Sequence, residues 1–416
     1  MNILDKKKNS TSFNYYKITT GLYIILTMYS LLVSIYLSIP LLLYGIITNK
    51  KGTPLFIALF FSILGYSFTP PFEFDLYRHY ESYEYYLQYN EFLYPIKDFY
   101  LSFLFLIGKN LSLKKEFLYF ISILIYYTSI LTVILKLKKN VPLTGTYFFI
   151  IFVLFILNNT VVEITGLRFT TALGFISLFI YYNYIESRKK TSYFFLFLSV
   201  LSHFSVIILP IVIILLRLLY KLFNSRLNAI IMIFTSVIAG LYFVEPIVAF
   251  AVIGVEKLFN IYIGAETYTS GLWGADRVTL HGFSQTGIMF ENIKLGISIL
   301  IPVIISITFI LNKDYGKNEL TKLFVACSII FFIFIPFDTV YLRYQYLLIV
   351  TALIIFATKN YKFKYLDGQF IGISMIFLKI SMQITVGLLS TYVFYIRGLK
   401  FDFINTNLVA VLFNIM

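Results

Sequence analysis

The sequence predicts an all-α, polytopic integral membrane protein, and three observations carry this prediction. Hydrophobic residues make up 59% of the 416 residues, and the mean hydropathy is +0.84. Charged residues make up only 13%, which is about half their share in soluble domains. Apolar runs close to the length of a bilayer crossing recur along the chain. A soluble protein of 48.4 kDa could not cover its surface with so few charges.

The apolar runs define about 11 or 12 crossings in a single transmembrane domain over residues 1–416. Two further regions are ambiguous: 192–216 is one crossing or two short helices that meet at Ser202–Phe204, and 98–112 has the length of an interfacial or re-entrant helix. The unambiguous runs lie at roughly 28–48, 53–69, 117–135, 144–162, 169–185, 227–252, 292–312, 320–337, 343–358 and 369–395.

The breaks between the runs are of two kinds, which predicts their sides. Six short breaks and the N-terminal lysines hold 21 of the 34 basic residues but 5 of the 20 acidic ones, so the positive-inside rule makes them cytoplasmic. The basic breaks are Lys50–Lys51, Lys136–Lys139, Arg188–Lys190, Arg217–Arg226, Lys313–Lys322 and Lys359–Lys364. The outer segments are then 70–116 (with a short interfacial helix), the 163–168 turn, the large loop 253–291, residues 338–343 and the C-terminal end.

Two details of this topology follow from the same charges. Arg188–Lys190 and Arg217–Arg226 are both cytoplasmic only if 192–216 is a hairpin with His203 near its outer tip. Lys6–Lys8 are cytoplasmic only if residues 14–48 make two short crossings; otherwise the N-terminus is an exception to the rule.

Several classes of protein are excluded. The single cysteine, Cys327, permits no intramolecular disulfide and no cysteine metal cluster, and three histidines leave little room for a zinc site. The sequence contains no Walker motif, no dinucleotide fingerprint and no removable signal peptide, so we expect no cofactor and no ATP-driven transport within this chain. The net charge of +14 follows the topology, so nucleic acid is not an expected partner.

The densest polar group lies in the outer segment 70–116. On a helix Asp75, Arg78 and His79 share one face, because they are spaced i, i+3 and i+4. Tyr80, Tyr83 and Tyr86 extend a surface that suits sugars, whose rings stack on aromatic faces and whose hydroxyls pair with carboxylates. The alternative is an interfacial tyrosine belt with a local Asp–Arg pair.

Arg168 and His203 are the next candidates. Arg168 opens an apolar helix on the outer side, where a guanidinium beside free backbone N–H groups can bind a phosphate. The alternative is an arginine that snorkels to the interface or pairs with Glu163. His203 is the best-placed candidate for a general base, because its ordinary pKa lies near 6.5. The alternative is a satisfied core histidine.

Two further outer positions hold arginines. Asp338 and Arg343 open another helix, and the alternative there is a helix cap with a local ion pair. Arg277 lies with His281 in the large loop 253–291, and the alternative there is a solvated surface. Together the outer arginines and the absence of a metal motif indicate a pyrophosphate-bearing ligand at the outer leaflet.

The order of these motifs resembles that of the Wzy-type repeat-unit polymerases, specifically the EpsG-like family of exopolysaccharide and capsule synthesis. The matching elements are Asp75–Tyr83, Gly166–Ala172, Arg188–Lys190 and Ser202–Ser205. Two positions depart from the family pattern: Thr69-Pro70-Pro71 stands where an Arg and a Gly often precede the Asp, and Phe169 where a Gln often follows the Arg.

The resemblance implies metal-independent glycosyl transfer, in a GT-C-like architecture, at the outer face of the bacterial cytoplasmic membrane. The ligand would be an undecaprenyl-pyrophosphate-linked oligosaccharide, and a flippase and a chain-length regulator of the same pathway would be partners. Arg168 and Arg343 would stabilise the leaving pyrophosphate, with Arg277 closing over it, and Tyr80, Tyr83 and Tyr86 would hold sugar rings. The base would be His203, with Asp75 or His79 as rivals; Arg78 and Asp338 would contact substrate.

Two other functions stay open. A flippase for the same lipid-linked units would also need arginines near a pyrophosphate, although it should have two related halves and a polar cavity at mid-membrane. A ligase or another polyprenyl-dependent glycosyltransferase would use the same chemistry on a different acceptor.

Overall fold

The computed structural model describes residues 18–70, 74–93, 99–140, 145–161, 164, 166–248, 285–358, 370–381, 407–409 and 411, and the elements in these ranges are helical. The first eight helices are α1 Thr20–Val33, α2 Ile35–Thr48, α3 Thr53–Tyr66, α4 Asp75–Tyr89, α5 Phe99–Asn110, α6 Glu116–Asn140, α7 Gly145–Leu157 and α8 Leu167–Ile180. The others are α9 Lys189–Ser202, α10 Ile208–Leu218, α11 Tyr220–Asn224, α12 Arg226–Tyr242, α13 Gln285–Leu311, α14 Glu319–Phe332, α15 Asp338–Thr358 and α16 Phe370–Ser381.

Residues 14–48 do not form one long helix, because the chain turns at Ser34. Ser34 is extended between α1 and α2. The Tyr23 hydroxyl lies 3.0 Å from Thr53 Oγ1, and Lys50 Nζ donates to the Ile18 carbonyl oxygen at 2.5 Å. The beginning of α1 therefore lies beside the end of α2, which is the arrangement of two short helices that the N-terminal lysines require.

Residues 192–216 also divide into two helices, as the charges on either side predict. α9 ends at Ser202, His203 is extended, and a short 3₁₀ turn over Phe204–Ile207 leads into α10. Arg217 Nη2 lies 3.5 Å from the Tyr193 hydroxyl, which brings the far ends of the two helices together. The segment 98–112 forms the 12-residue helix α5, about 18 Å long.

Within the described residues, side chains of the basic breaks bind neighbouring helix ends at one end of the bundle. Lys138 Nζ donates to the Ile46 and Ile47 carbonyl oxygens at 2.7 and 2.9 Å, which joins α6 to α2. Lys136 Nζ lies 3.1 Å from Glu186 Oε1, and Arg226 Nη2 donates to the Asn312 carbonyl oxygen at 3.1 Å. The charges at this end are thus used in joining helices. Arg168 and Arg343 lie near the first residues of α8 and α15, away from these contacts.

Helix packing is closest where glycines remove side chains from the interfaces. A Cβ atom on Gly174 of α8 would lie 3.1 Å from the Tyr126 Cα of α6. A Cβ on Gly240 of α12 would collide with the Phe332 carbonyl oxygen of α14. These contacts hold the helix backbones together at distances that no larger residue permits.

The described part of the chain is an all-α, polytopic membrane protein. Within it Glu116–Asn140 and Val340–Thr358 are long and apolar enough to cross a bilayer alone, and nine other apolar helices have 10–17 residues. Large apolar side chains are exposed on the outward faces of the shorter helices, as a lipid-facing surface requires. Examples are Ile25, Ile47, Phe197, Leu218 and Leu227.

Alanine at Gly240 is expected to lower the melting temperature of the protein in detergent, because its methyl group would collide with the Phe332 carbonyl and separate α12 from α14. Overpacking of this kind costs about 1–3 kcal/mol. Alanine at Gly296 is the matched control, because nothing lies within 4 Å of a Cβ there. Gly296→Ala should leave the melting temperature unchanged or raise it. Equal shifts in the two variants would contradict the packing described here.

Candidate functional site

Asp75 joins two arginines that are far apart in the sequence. It is the first residue of α4, where a carboxylate is favoured by the helix dipole. Arg78, one turn later, donates to Asp75 Oδ1, and Arg343 Nη2 of α15 lies 3.1 Å from Asp75 Oδ2. Between 28% and 40% of each of these three side chains is exposed, so the group is open to a ligand. The sequence predicted that Asp75 and Arg78 share a helix face, and the structure adds Arg343.

His79 and Arg168 belong to the same cluster of charges. Burial lowers the pKa of His79, Arg168 and the other two arginines lower it further, and Asp75 opposes them; the result is a pKa of about 4. Burial alone would raise the pKa of Asp75, but Arg343, Arg78, His79 and Arg168 hold it below its usual value. At neutral pH the cluster therefore contains an ionised carboxylate, a neutral imidazole and three guanidinium cations.

Arg168 reaches this cluster from the beginning of α8. Gly166 precedes the helix and supplies no side chain to cap it. Backbone donors and a positive charge at a helix N-terminus together favour an anion. Arg168 thus lies at the beginning of a helix, as expected from the sequence, and its binding of a phosphate stays a prediction.

Two residues hold the segment around His203, and they directly follow Arg168 and Arg343 in the sequence. Phe169 of α8 meets the His203 ring edge-on, with the ring centroids 5.8 Å apart. The Tyr344 hydroxyl of α15 donates to the Ser205 carbonyl oxygen at 3.1 Å, and the Tyr344 ring stacks on Phe331. The segment that contains His203 is thus tied to both helices whose first turns carry the arginines.

Sequence reasoning did not single out Phe169 or Tyr344 as residues that position the site. Phe169 entered the sequence analysis only as a departure from the family pattern, and Tyr344 did not enter it. The signal available was their adjacency to arginines at helix starts. Nothing in the sequence indicated that both would contact the 203–205 segment.

The sugar-stacking role predicted for Tyr80, Tyr83 and Tyr86 needs correction. All three side chains are buried, with 4%, 0% and 7% exposure. Tyr83 donates to the Leu113 carbonyl oxygen at 2.7 Å and packs against two phenylalanines, and the Tyr86 ring stacks on Phe92. Their spacing of three residues forms the apolar stripe by which α4 packs on the bundle, so protein contacts occupy their faces.

Two predicted site residues cannot be placed. Arg277 lies, with His281, in the segment 249–284 outside the described residues. Asp338 begins α15, but its side chain is outside them as well. Among the side chains that are described, no group of three or more His, Cys, Asp or Glu is arranged to hold a metal ion.

Fold and charges together define an all-α membrane protein with an arginine-rich, partly exposed cluster at one end of its helices. The chain belongs to the EpsG family, whose family model matches residues 53–396, so it is a membrane protein of polysaccharide biosynthesis. The matched region contains all the described residues of the site. No curated protein and no solved structure matches the chain.

Replacement of His79 by glutamine is expected to make the protein less sensitive to acid. In the unfolded chain His79 binds a proton below about pH 6.5, whereas the folded state resists protonation down to about pH 4. Between these values the unfolded state binds more protons, so the wild-type protein loses stability as the pH falls. Melting temperatures in detergent at pH 7, 6 and 5 should fall more steeply for the wild type than for His79→Gln. Parallel pH profiles would contradict the charge environment described for His79.

Proposed function

We propose that this protein is a polymerase that joins undecaprenyl-pyrophosphate-linked oligosaccharide repeat units at the outer face of the bacterial cytoplasmic membrane. The observation that carries the proposal is the meeting of Arg78, Arg168 and Arg343 around one carboxylate, beside a segment that presents His203. Membership of the EpsG family supports the same class of reaction. Capsule, exopolysaccharide or O-antigen would be the polymer, and the protein would cross the membrane many times.

The proposed reaction is a glycosyl transfer between two lipid-linked glycans. A hydroxyl of the acceptor glycan attacks the anomeric carbon of the donor glycan, and the bond from that carbon to the pyrophosphate oxygen breaks. The hydroxyl proton passes to a base, and undecaprenyl pyrophosphate leaves with the bonding electron pair. The charge that develops on the leaving oxygen is the part of the transition state that fixed cations stabilise most.

Arg343 and Arg168 are the proposed ligands of the leaving pyrophosphate. A guanidinium presents a planar set of donors that matches phosphate oxygens in pairs, and it stays charged at any physiological pH. Three such cations supply the charge stabilisation of a metal-independent transfer. Arg277 and Asp338, in the outer segments predicted from the sequence, are proposed to complete the substrate contacts.

His203 is the proposed base, and its two rivals are weaker. Both Asp75 oxygens are occupied by guanidinium groups, and its lowered pKa makes the carboxylate a poor proton acceptor. Burial and the surrounding arginines lower the pKa of His79 to about 4, which is too low for an efficient base at neutral pH. Asp75 is proposed instead to hold Arg78 and Arg343 side by side until substrate binds.

The proposal is tested with purified protein in liposomes that contain lipid-linked repeat units isolated from the cells that make the polymer. His203→Ala and Arg168→Ala should each reduce polymer formation, measured by gel separation of the glycans, about a hundredfold or more. The reason is the loss of the base in one variant and of transition-state charge stabilisation in the other.

Arg188→Ala is the matched control. Arg188 follows the other end of α8, where its side chain is 65% exposed and pairs with Glu186 at 3.0 Å, so polymer formation should persist. Full activity in both test variants would overturn the assignment. Transfer of unpolymerised units across the membrane would indicate a flippase, and transfer to a different acceptor a ligase.

A further inference from the structure

Lys379 is a charged residue on the inward face of an apolar helix. It lies in α16 between Leu378 and Ile380, and only 7% of it is exposed. The outward face of the same turn carries Phe377 and Leu378, which are 62% and 47% exposed. The lysine ammonium lies over the ring of Tyr346 in α15, 4.4 Å from its centroid. Ionisable groups inside a membrane are costly and commonly mark a substrate path.

The position of Lys379 along the bundle follows from its helix contacts. A Cβ on Gly372, near the beginning of α16, would collide with the ring of Phe356, near the end of α15. Seven residues later in α16, Lys379 contacts Tyr346, ten residues earlier in α15. The two helices are therefore antiparallel, and α16 runs towards the end of α15 that carries Arg343.

Lys379 lies about one helical turn deeper than Arg343. Tyr346 follows Arg343 by three residues, which is about 4.5 Å along the helix axis and close to the same face. Arg343 contacts Asp75 at the rim of the bundle, whereas Lys379 contacts the ring one turn further in. The two cations thus form a rim level and a deeper level on the same side of α15.

We propose that Lys379 binds the lipid-linked phosphate of a polyprenyl pyrophosphate, while Arg343 binds the sugar-linked phosphate. This inference rests on the proposed function, because it assumes a lipid pyrophosphate at the arginine cluster. The prenyl chain of such a lipid extends into the hydrocarbon and the sugar projects out, so the phosphate that bears the prenyl chain is the deeper of the two. Two cations one turn apart in depth match this order.

The ring of Tyr346 is one partner that holds the Lys379 ammonium in this position. Contact with an aromatic face offsets part of the hydration that a buried cation loses. Burial of the ammonium therefore costs less free energy there than among aliphatic groups alone. A phosphate oxygen then adds a charge-assisted hydrogen bond to an ammonium that is already oriented. A purely structural lysine would clamp α15 to α16 equally well, but its replacement would lower the melting temperature and leave the affinity for both lipids unchanged.

The experiment measures binding of two sugar-free lipids with the same prenyl chain, a monophosphate and a pyrophosphate, to the full-length protein in nanodiscs. Lys379→Met should weaken the binding of both lipids by a similar factor of about tenfold or more, because both carry the lipid-linked phosphate. Arg343→Gln should weaken the binding of the pyrophosphate lipid only. Lys138→Met is the matched control, because Lys138 also lies over an aromatic ring, that of Phe148, but at the basic end of the bundle. It should change neither affinity.

Folding is checked by the melting temperature, and Lys379→Arg, which keeps the charge, should retain binding of both lipids if the methionine variant fails to fold. Unchanged binding by Lys379→Met, or the same pattern for Lys379→Met and Arg343→Gln, would overturn this inference and leave the proposed function intact. A wild-type protein that binds neither lipid would overturn both.

Discussion

The site depends on one carboxylate that holds together guanidinium groups that would otherwise repel each other. Asp75 accepts from Arg78 through one oxygen and from Arg343 through the other, and it thereby joins α4 to the beginning of α15. Without a negative charge at this point, three arginines in a partly buried volume would be driven apart by Coulomb repulsion. Asp75 also favours protonation of the neighbouring His79, but burial and the arginines outweigh this effect and lower the pKa of His79 to about 4. The arrangement is therefore formed before any ligand arrives.

The two ends of the bundle use their charges differently. At the basic end, lysines and arginines are consumed in contacts between helices, such as those of Lys138 with the carbonyl oxygens at the end of α2 and of Lys136 with Glu186. At the other end, the arginines converge on a single acid and remain partly exposed. The contacts at the basic end define how the helices pack and on which side they end. An excess of exposed positive charge contributes nothing to packing and favours the binding of an anionic ligand. The contacts at the basic end join α6 to α2 and to the segment that follows α8. The helices therefore stay packed although the opposite end carries an excess of positive charge.

Much of the fold could be predicted from the sequence because membrane insertion depends on local patterns. Apolar length and basic breaks predicted the helices, and the hairpin around His203 followed from the charges on its two sides. The same reasoning placed Arg343 on the side of Asp75 but could not predict their contact, since tertiary pairing across 268 residues leaves no local pattern. The tyrosines of α4 were a different kind of error. Tyr80, Tyr83 and Tyr86 recur with helical spacing, which is the signature of a packed stripe, so the sequence contained the information and residue chemistry was given too much weight.

The charge balance of the site gives a physical reason for a pyrophosphate ligand. Three guanidinium groups and one carboxylate, with His79 neutral, leave an excess of two positive charges. A pyrophosphate esterified at both ends carries two negative charges, so the bound donor would neutralise this excess. When the sugar departs, the remaining pyrophosphate monoester gains a further negative charge, and a site that already matches the donor must supply one more cation to favour the product side. Lys379, proposed to bind the lipid-linked phosphate one turn deeper on the same face of α15, would add that positive charge, and Arg343 would meet the oxygen that the sugar leaves.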